Sequence, residues 1–307
     1  MTQTRLRLTG PGARGVRVSA HLLRATLDVL VDAVEESVRL RVEGRSRARG
    51  SKPSWLERAA FFEVELQPGS TAILLEASPL AEVSPEQFSQ SEMFEPLGGS
   101  LSCIDVFSES FTKVIDGDRD SDLYDDGLVE TLLKFGKVFD LGVEALEVQN
   151  GQTSRLTTTG LERIRELRRS IPADQRVRIA GALDALRHSS RTFEVRVEGG
   201  ELVRGILASE AGEIAELGPR LGSNVVVEGT AKFRPSGRLL RLDADSISPA
   251  EGDVSLWSSP PRPLFAPLPA SEFRYAQGPR TGASAIFGRW PGDESDEEVE
   301  SLLREIS

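Results

Sequence analysis

The spacing of hydrophobic positions changes several times along the first 150 residues, and each change marks an element. In TRLRLTG, Leu6 and Leu8 alternate with Arg5 and Arg7, the period-two signature of a half-buried strand, and Gly10, Pro11, Gly12 and Gly15 end it. From Ser19 the period becomes helical: Leu22, Leu23, Leu27, Leu30, Val31, Val34 and Val38 recur three and four residues apart, with Ser19 placed to cap the start. SVRLRVEG alternates again and predicts a strand. After the arginine-rich GRSRARGSKPSW, the segment AFFEVELQPGSTAILLEA predicts a hairpin in which Phe62, Val64 and Leu66 lead into Pro68-Gly69 and Ile73, Leu74 and Leu75 return. Two amphipathic patterns follow, LSCIDVFSESFTKVI and DLYDDGLVETLLKFGKVFD, and GVEALEVQN predicts a closing strand. Residues 1–150 therefore read as one α+β domain.

In 151–175 the helix TTTGLERIRELRRSI aligns Leu161, Ile164, Leu167 and Ile171 and reads as a linker helix. Over 176–248 the order is strand, strand, strand, helix, strand, strand, with hairpin turns at Gly199-Gly200 and Pro235-Ser236-Gly237 and a short helix whose stripe is Ile214, Leu217 and Leu221. This order resembles an OB-fold, which implies a small Greek-key β-barrel. The resemblance implies a surface for single-stranded nucleic acid, built from stacking aromatics and a basic groove. Its candidates are Phe193 and Phe233 with Arg178, Arg191, Arg196, Lys232, Arg234 and Arg238; Arg204 and Arg241 extend the basic set, and Arg45, Arg47, Arg49 and Lys52 supply a basic stretch in the first domain.

Residues 249–285 are rich in Pro, Ser, Gly and Ala without a period and read as a linker. Residues 286–307 then form a flexible tail ending in a short amphipathic helix. Ile286, Phe287, Trp290 and Pro291 make an extended anchor, Ser295 caps a helix with Glu298 at its third position, and Val299, Leu302, Leu303 and Ile306 form one stripe. A helix of about twelve residues is marginal alone in water, so the pattern predicts folding on a partner. The run FGRWPGDESDEEVESLLREI resembles the C-terminal tails of bacterial antitoxins that accompany PIN-domain ribonuclease toxins. That resemblance implies a tail that wraps a small toxin nuclease, with Arg289 pairing to the carboxylates of its metal-dependent site. Such antitoxins are usually small and carry an N-terminal DNA-binding module. This chain is longer and has no ribbon-helix-helix or helix-turn-helix signature.

Composition sharpens the functional classes. The chain has 307 residues and a net charge of −11, unevenly spread: residues 1–60 hold 12 basic and 6 acidic groups, whereas 61–150 hold 4 and 19. A strongly acidic surface disfavours nonspecific nucleic-acid binding and favours basic partners. One cysteine, Cys103, and two histidines, His21 and His188, leave no motif for nucleophilic catalysis or a histidine-rich metal site, so no catalytic residue, metal or cofactor is expected. Asp116, Asp118, Asp120 and Asp122 alternate as calcium-loop ligands do, but Ser121 stands where that loop needs Gly and Gly127 where it needs Glu. A solvated acidic loop with helix caps is the expectation. No apolar run spans a membrane and the N-terminus lacks the order of a secretory signal, which predicts a cytoplasmic protein. Together these readings predict a non-enzymatic, antitoxin-like α+β protein that captures a toxin nuclease through 286–307. The alternative is a single-stranded nucleic-acid-binding protein acting through the barrel.

Overall fold

A computed structural model describes residues 4–14, 17–67, 71–88, 100–208 and 214–264. The first strand, β1 (Thr4–Thr9), buries Leu6 and Leu8 and exposes Arg5 and Arg7. A small ribbon, β2 (Ala13–Arg14) with β3 (Arg17–Val18), leads into the long helix α1 (Ala20–Glu43). Ser19 caps α1, its hydroxyl accepting from Leu22 N at 3.1 Å. The strand expected over SVRLRVEG is instead the end of α1. Val34, Val38 and Val42 continue its buried row four residues apart, Arg39 and Glu43 pair at 2.9 Å across one turn, and the first helix-stopping residue is Gly44, with φ 73°.

After α2 (Ser54–Ala59), β4 (Glu63–Leu66) and β5 (Ala72–Glu76) pair antiparallel, as the hairpin pattern predicts, and their turn at Pro68-Gly69 lies outside the described residues. Short turns α3 (Leu80–Val83) and α4 (Pro85–Phe88) precede α5 (Cys103–Asp116), which opens with a capping box between Ser102 and Asp105. The second amphipathic pattern divides into α6 (Asp126–Leu133) and α7 (Gly136–Asp140). Then β6 (Ala145–Asn150) turns at Gly151 into β7 (Gln152–Thr157), a strand the hydrophobic pattern alone did not predict. The antiparallel sheet has the order β4-β5-β1-β6-β7. Leu6, Ile73, Leu75, Leu146, Val148 and Leu156 from the sheet share one core with α1, α5 and α6. Helix α8 (Thr158–Arg169), read as a linker, sends Leu161, Ile164 and Leu167 into that same core, each buried aliphatic side chain contributing about 1.5–3 kcal/mol.

The second core is a closed barrel of β8 (Gln175–Arg187), β9 (Thr192–Arg196), β10 (Leu202–Leu207), β11 (Asn224–Phe233) and β12 (Leu239–Pro249). Every pairing is antiparallel except β10 with β12, and β8 closes the ring by pairing with both β9 and β11. A 3₁₀ segment, Ile214–Arg220, lies between the third and fourth barrel strands; Ile214 and Leu217 are buried, while Leu221, expected in the same stripe, is 49% exposed. These facts are compatible with an OB-like barrel. Two strand glycines explain how the ring closes. A Cβ on Gly205 would run into the Phe193 ring and lie 2.8 Å from Leu242 O, and one on Gly229, beside a β-bulge, would lie 2.8 Å from Ala244 Cα. Residues 253–258, expected as linker, fold back on the barrel: Glu198 N donates to Ser258 O at 2.9 Å, and the Arg178 guanidinium stacks 5.4 Å from the Trp257 ring centre. No helix among the described residues is long and apolar enough to cross a membrane.

Met1–Ala266 cluster as one unit, and a buried ion pair joins the two cores within it. Asp125 caps α6 by accepting from Leu128 N at 3.1 Å; it also accepts from Ser46 N at 3.0 Å and Ser46 Oγ at 2.5 Å, and meets Arg241 Nη1 of β12 at 3.1 Å. Arg241 further donates to Gly44 O at 3.2 Å and Asp243 Oδ1 at 2.9 Å. Burial pushes the Asp125 carboxyl upward, but the Arg241 guanidinium and the hydrogen bonds from Ser46 and Leu128 outweigh it and hold the group below the usual carboxylate range.

Two outcomes are expected. Gly205→Ala lowers the unfolding free energy by about 1–3 kcal/mol in urea titrations, whereas Gly218→Ala, where nothing lies within 4 Å of an added Cβ, stays within about 0.5 kcal/mol. Asp125→Ala removes the carboxylate that Arg241 meets across the junction, leaving it only Asp243 of its own strand, and removes the cap of α6; it costs about 2–4 kcal/mol at neutral pH. Because the folded value of Asp125 lies below its unfolded value near 3.9, its contribution is complete above about pH 5 and is lost as pH falls through the lowered value. Urea titrations from pH 6 to pH 2 therefore show a steeper acid loss for the parent chain than for Asp125→Asn.

Candidate functional site

Where the end of α1 meets the barrel there is a cleft of about 220 Å³. Its walls come from both cores. Helix α1 supplies Leu40, Arg41 and Val42; the segment before α6 supplies Asp122 and Leu123; the barrel supplies Leu186, Arg187, Phe193, Glu194, Arg204, Ile206, Arg234, Leu240 and Arg241. Arg41 reaches this position because Leu40 and Val42 on either side are buried, and it pairs with Glu109 of α5. On β10, Arg204 is held by Glu194 Oε1 at 3.0 Å and lies 3.9 Å from Asp122. Arg234, in the hairpin between β11 and β12, donates from Nη1 to Asp120 O at 2.5 Å.

The acidic run does not stand free in solvent. Arg119 donates to Pro235 O at 2.8 Å, Ser236 Oγ donates to Asp120 Oδ1 at 2.6 Å, and Ser236 N donates to Arg119 O at 3.1 Å. The loop thus docks against the hairpin 234–238. Asp118 is held below the usual carboxylate range by its hydrogen bond from Lys113, 2.9 Å away. Among the described residues no three His, Cys, Asp or Glu side chains converge as a metal site. The helix cap in this region is Asp125, and Tyr124 beside it is buried, its hydroxyl donating to Asp118 O.

The nucleic-acid candidates are placed on the barrel, yet they do not form one open basic groove. Phe193 and Phe233 lie inside the barrel core at 1% and 3% exposure and offer no face to a base. Arg178 pairs with Glu228 at 2.7 Å, Arg196 with Asp184 at 2.9 Å, Lys232 with Asp174, and Arg238 with Asp120 at 3.8 Å. Arg191, in the left-handed region at φ 55°, donates from Nε to Leu207 O at 3.1 Å and from Nη2 to Ala208 O at 2.7 Å, closing the end of β10. Of the basic stretch, Arg47 bridges Glu36 at 2.7 Å and Glu130 at 2.8 Å, and Lys52 pairs with Glu35 at 2.5 Å. The partner-binding candidates Ile286, Phe287, Arg289, Trp290, Pro291, Val299, Leu302, Leu303 and Ile306 lie outside the described residues.

Pattern reading missed Arg41 and Asp125 as site-forming residues. Asp125 carried a local signal, since Asp-Asp-Gly-Leu offers a cap, but its partner Arg241 lies 116 residues away. Chemically, the cleft presents guanidinium donors, the Asp122 and Glu194 carboxylates and the Thr192 hydroxyl. The Cys103 thiol sits in the first core, where burial pushes it up to about 12, so it stays protonated at neutral pH. Among known proteins, no family model, no curated protein and no solved structure matches this chain.

Proposed function

We propose that this chain is a non-enzymatic, antitoxin-like protein whose segment 286–307 captures and inhibits a partner toxin of the PIN ribonuclease type. The observation that carries this reading is the run FGRWPGDESDEEVESLLREI near the end of the sequence. Phe287 and Trp290 are the kind of aromatic anchors that dominate interface energetics, and the stripe Val299, Leu302, Leu303 and Ile306 suits a groove on a partner. Arg289 supplies a planar fork for carboxylates in the nuclease site. The ion pairs made by the basic residues of the barrel, and the burial of Phe193 and Phe233, favour this reading over capture of single-stranded nucleic acid.

The test is a capture experiment from cells expressing the chain, comparing it with a Phe287→Ala, Trp290→Ala variant and identifying bound proteins by mass spectrometry. A small nuclease is expected with the parent and not with the variant. Each anchor truncation is expected to cost at least about 2 kcal/mol, roughly 30-fold in affinity. Recovery of the same proteins with both chains, or of nucleic acid alone, overturns the proposal.

A further inference from the structure

The cleft at the end of α1 has a composition that the tail-based function does not use. Its volume, about 220 Å³, is below the roughly 300–1,000 Å³ of drug-sized sites, so it admits only a small molecule. Leu40, Leu186, Ile206 and Leu240 give it apolar walls, while Arg41 and Arg234 stand among them. We propose that this cleft binds a small organic oxyanion, a phosphate ester or carboxylate with an apolar body, with Arg234 as its main anchor and Arg41 beside it.

Charge accounting selects Arg234. Arg41, Arg204 and Arg241 each face a carboxylate within 4 Å, supplied by Glu109, by Glu194 and by Asp125 with Asp243, and Arg187 is engaged by an interaction of its own. Arg234 makes no ion pair among the described residues; its Nη1 is satisfied by the carbonyl of Asp120. Its Nε, like that of Arg41, is buried without a hydrogen-bond acceptor. Native structures seldom leave such donors unmet, and a small rotation that offers the Nε edge of a guanidinium to an oxyanion satisfies it with the bidentate geometry arginine favours.

The same surroundings decide the size of the ligand. The loop carrying Asp120 and Asp122 docks on the hairpin 234–238, so a long polyanion meets carboxylates where its backbone would continue. A single anionic group on a short apolar body meets the arginines and the leucine walls without crossing that loop.

The experiment follows thermal unfolding and isothermal titration of the full chain with four probes at constant ionic strength: inorganic phosphate, phenyl phosphate, benzoate and a ten-nucleotide oligothymidylate, with benzyl alcohol as the uncharged control. Phenyl phosphate, benzoate or both are expected to raise the Tm by about 5 °C at a hundredfold excess over Kd, more than inorganic phosphate does, and benzyl alcohol is expected to leave it unchanged. The stronger of the two names the preferred anionic group. Arg234→Gln is expected to weaken binding at least tenfold, and Leu240→Trp, which fills the cleft from a half-buried position, to abolish it. If either variant fails to fold, the other carries the comparison, and the parent chain alone remains decisive on charge. The proposal is overturned if none of the anions binds, if benzyl alcohol binds as well as they do, if binding survives in the folded variants, or if the oligonucleotide binds more tightly than both small anions.

Discussion

The Asp125–Arg241 contact is the constraint on which the relation between the two cores depends. Each side chain alone would be an expensive charge to hide, and together they are 8% and 12% exposed. Removing such a pair to apolar residues of similar volume is often neutral in stability, so its importance does not lie in added free energy. It lies in geometry. Asp125 is fixed at the start of α6, Ser46 follows the glycine that ends α1, and Arg241 sits within β12. One carboxylate therefore registers the helical layer, the loop after α1 and the barrel against each other, and any other docking would strand a buried charge. Gly44 is required by its backbone, whose φ of 73° lies in the left-handed region, while an added Cβ would make only an ordinary contact, 3.7 Å, with Ile206 of β10.

Around that buried pair the contacts are of another kind. The acidic loop and the hairpin 234–238 meet through exposed side chains: Arg238 and Asp120 are 67% and 53% exposed, and Arg204 and Asp122 similar. Exposed pairs of this sort contribute from nothing to about 1 kcal/mol and weaken as salt rises. The junction thus has a salt-resistant centre and a salt-sensitive rim. The uneven charge of the sequence finds its place here too, because the acidic run of the first domain neutralises arginines of the barrel.

Much of the fold was legible where period and punctuation agreed. In the barrel, alternation between turn residues marked all five strands, and Gly199 and Gly200, both at positive φ, made the tight turn their sequence announces. The failures have physical reasons. SVRLRVEG alternates, yet its valines also extend a four-residue row, and no breaker precedes Gly44; length and the missing stop signal decide for helix. The strand Gln152–Thr157 was hidden behind the stronger helical pattern that follows it, although Asn150-Gly151 is a hairpin signal of its own kind. The docking of Asp120 and Asp122 was illegible for a different reason. Nothing in a local charge pattern tells a solvated loop from one whose partners lie more than 80 residues away.

The cleft was hidden from sequence reading for that same reason, and its position has a thermodynamic consequence. Arg41 and Leu40 come from a helix of the first core, Arg234 and Leu240 from the barrel, so the cavity exists only while the two cores are docked. Whatever fills it binds the docked state alone, and by linkage it must strengthen docking by the free energy of its own binding. Protonation of Asp125 acts in the opposite sense on the same equilibrium, since it removes one of the two carboxylates that hold Arg241 in the wall of the cleft. A ligand bound as proposed and a proton on Asp125 are therefore expected to act as antagonists through one junction, although they touch different side chains of it.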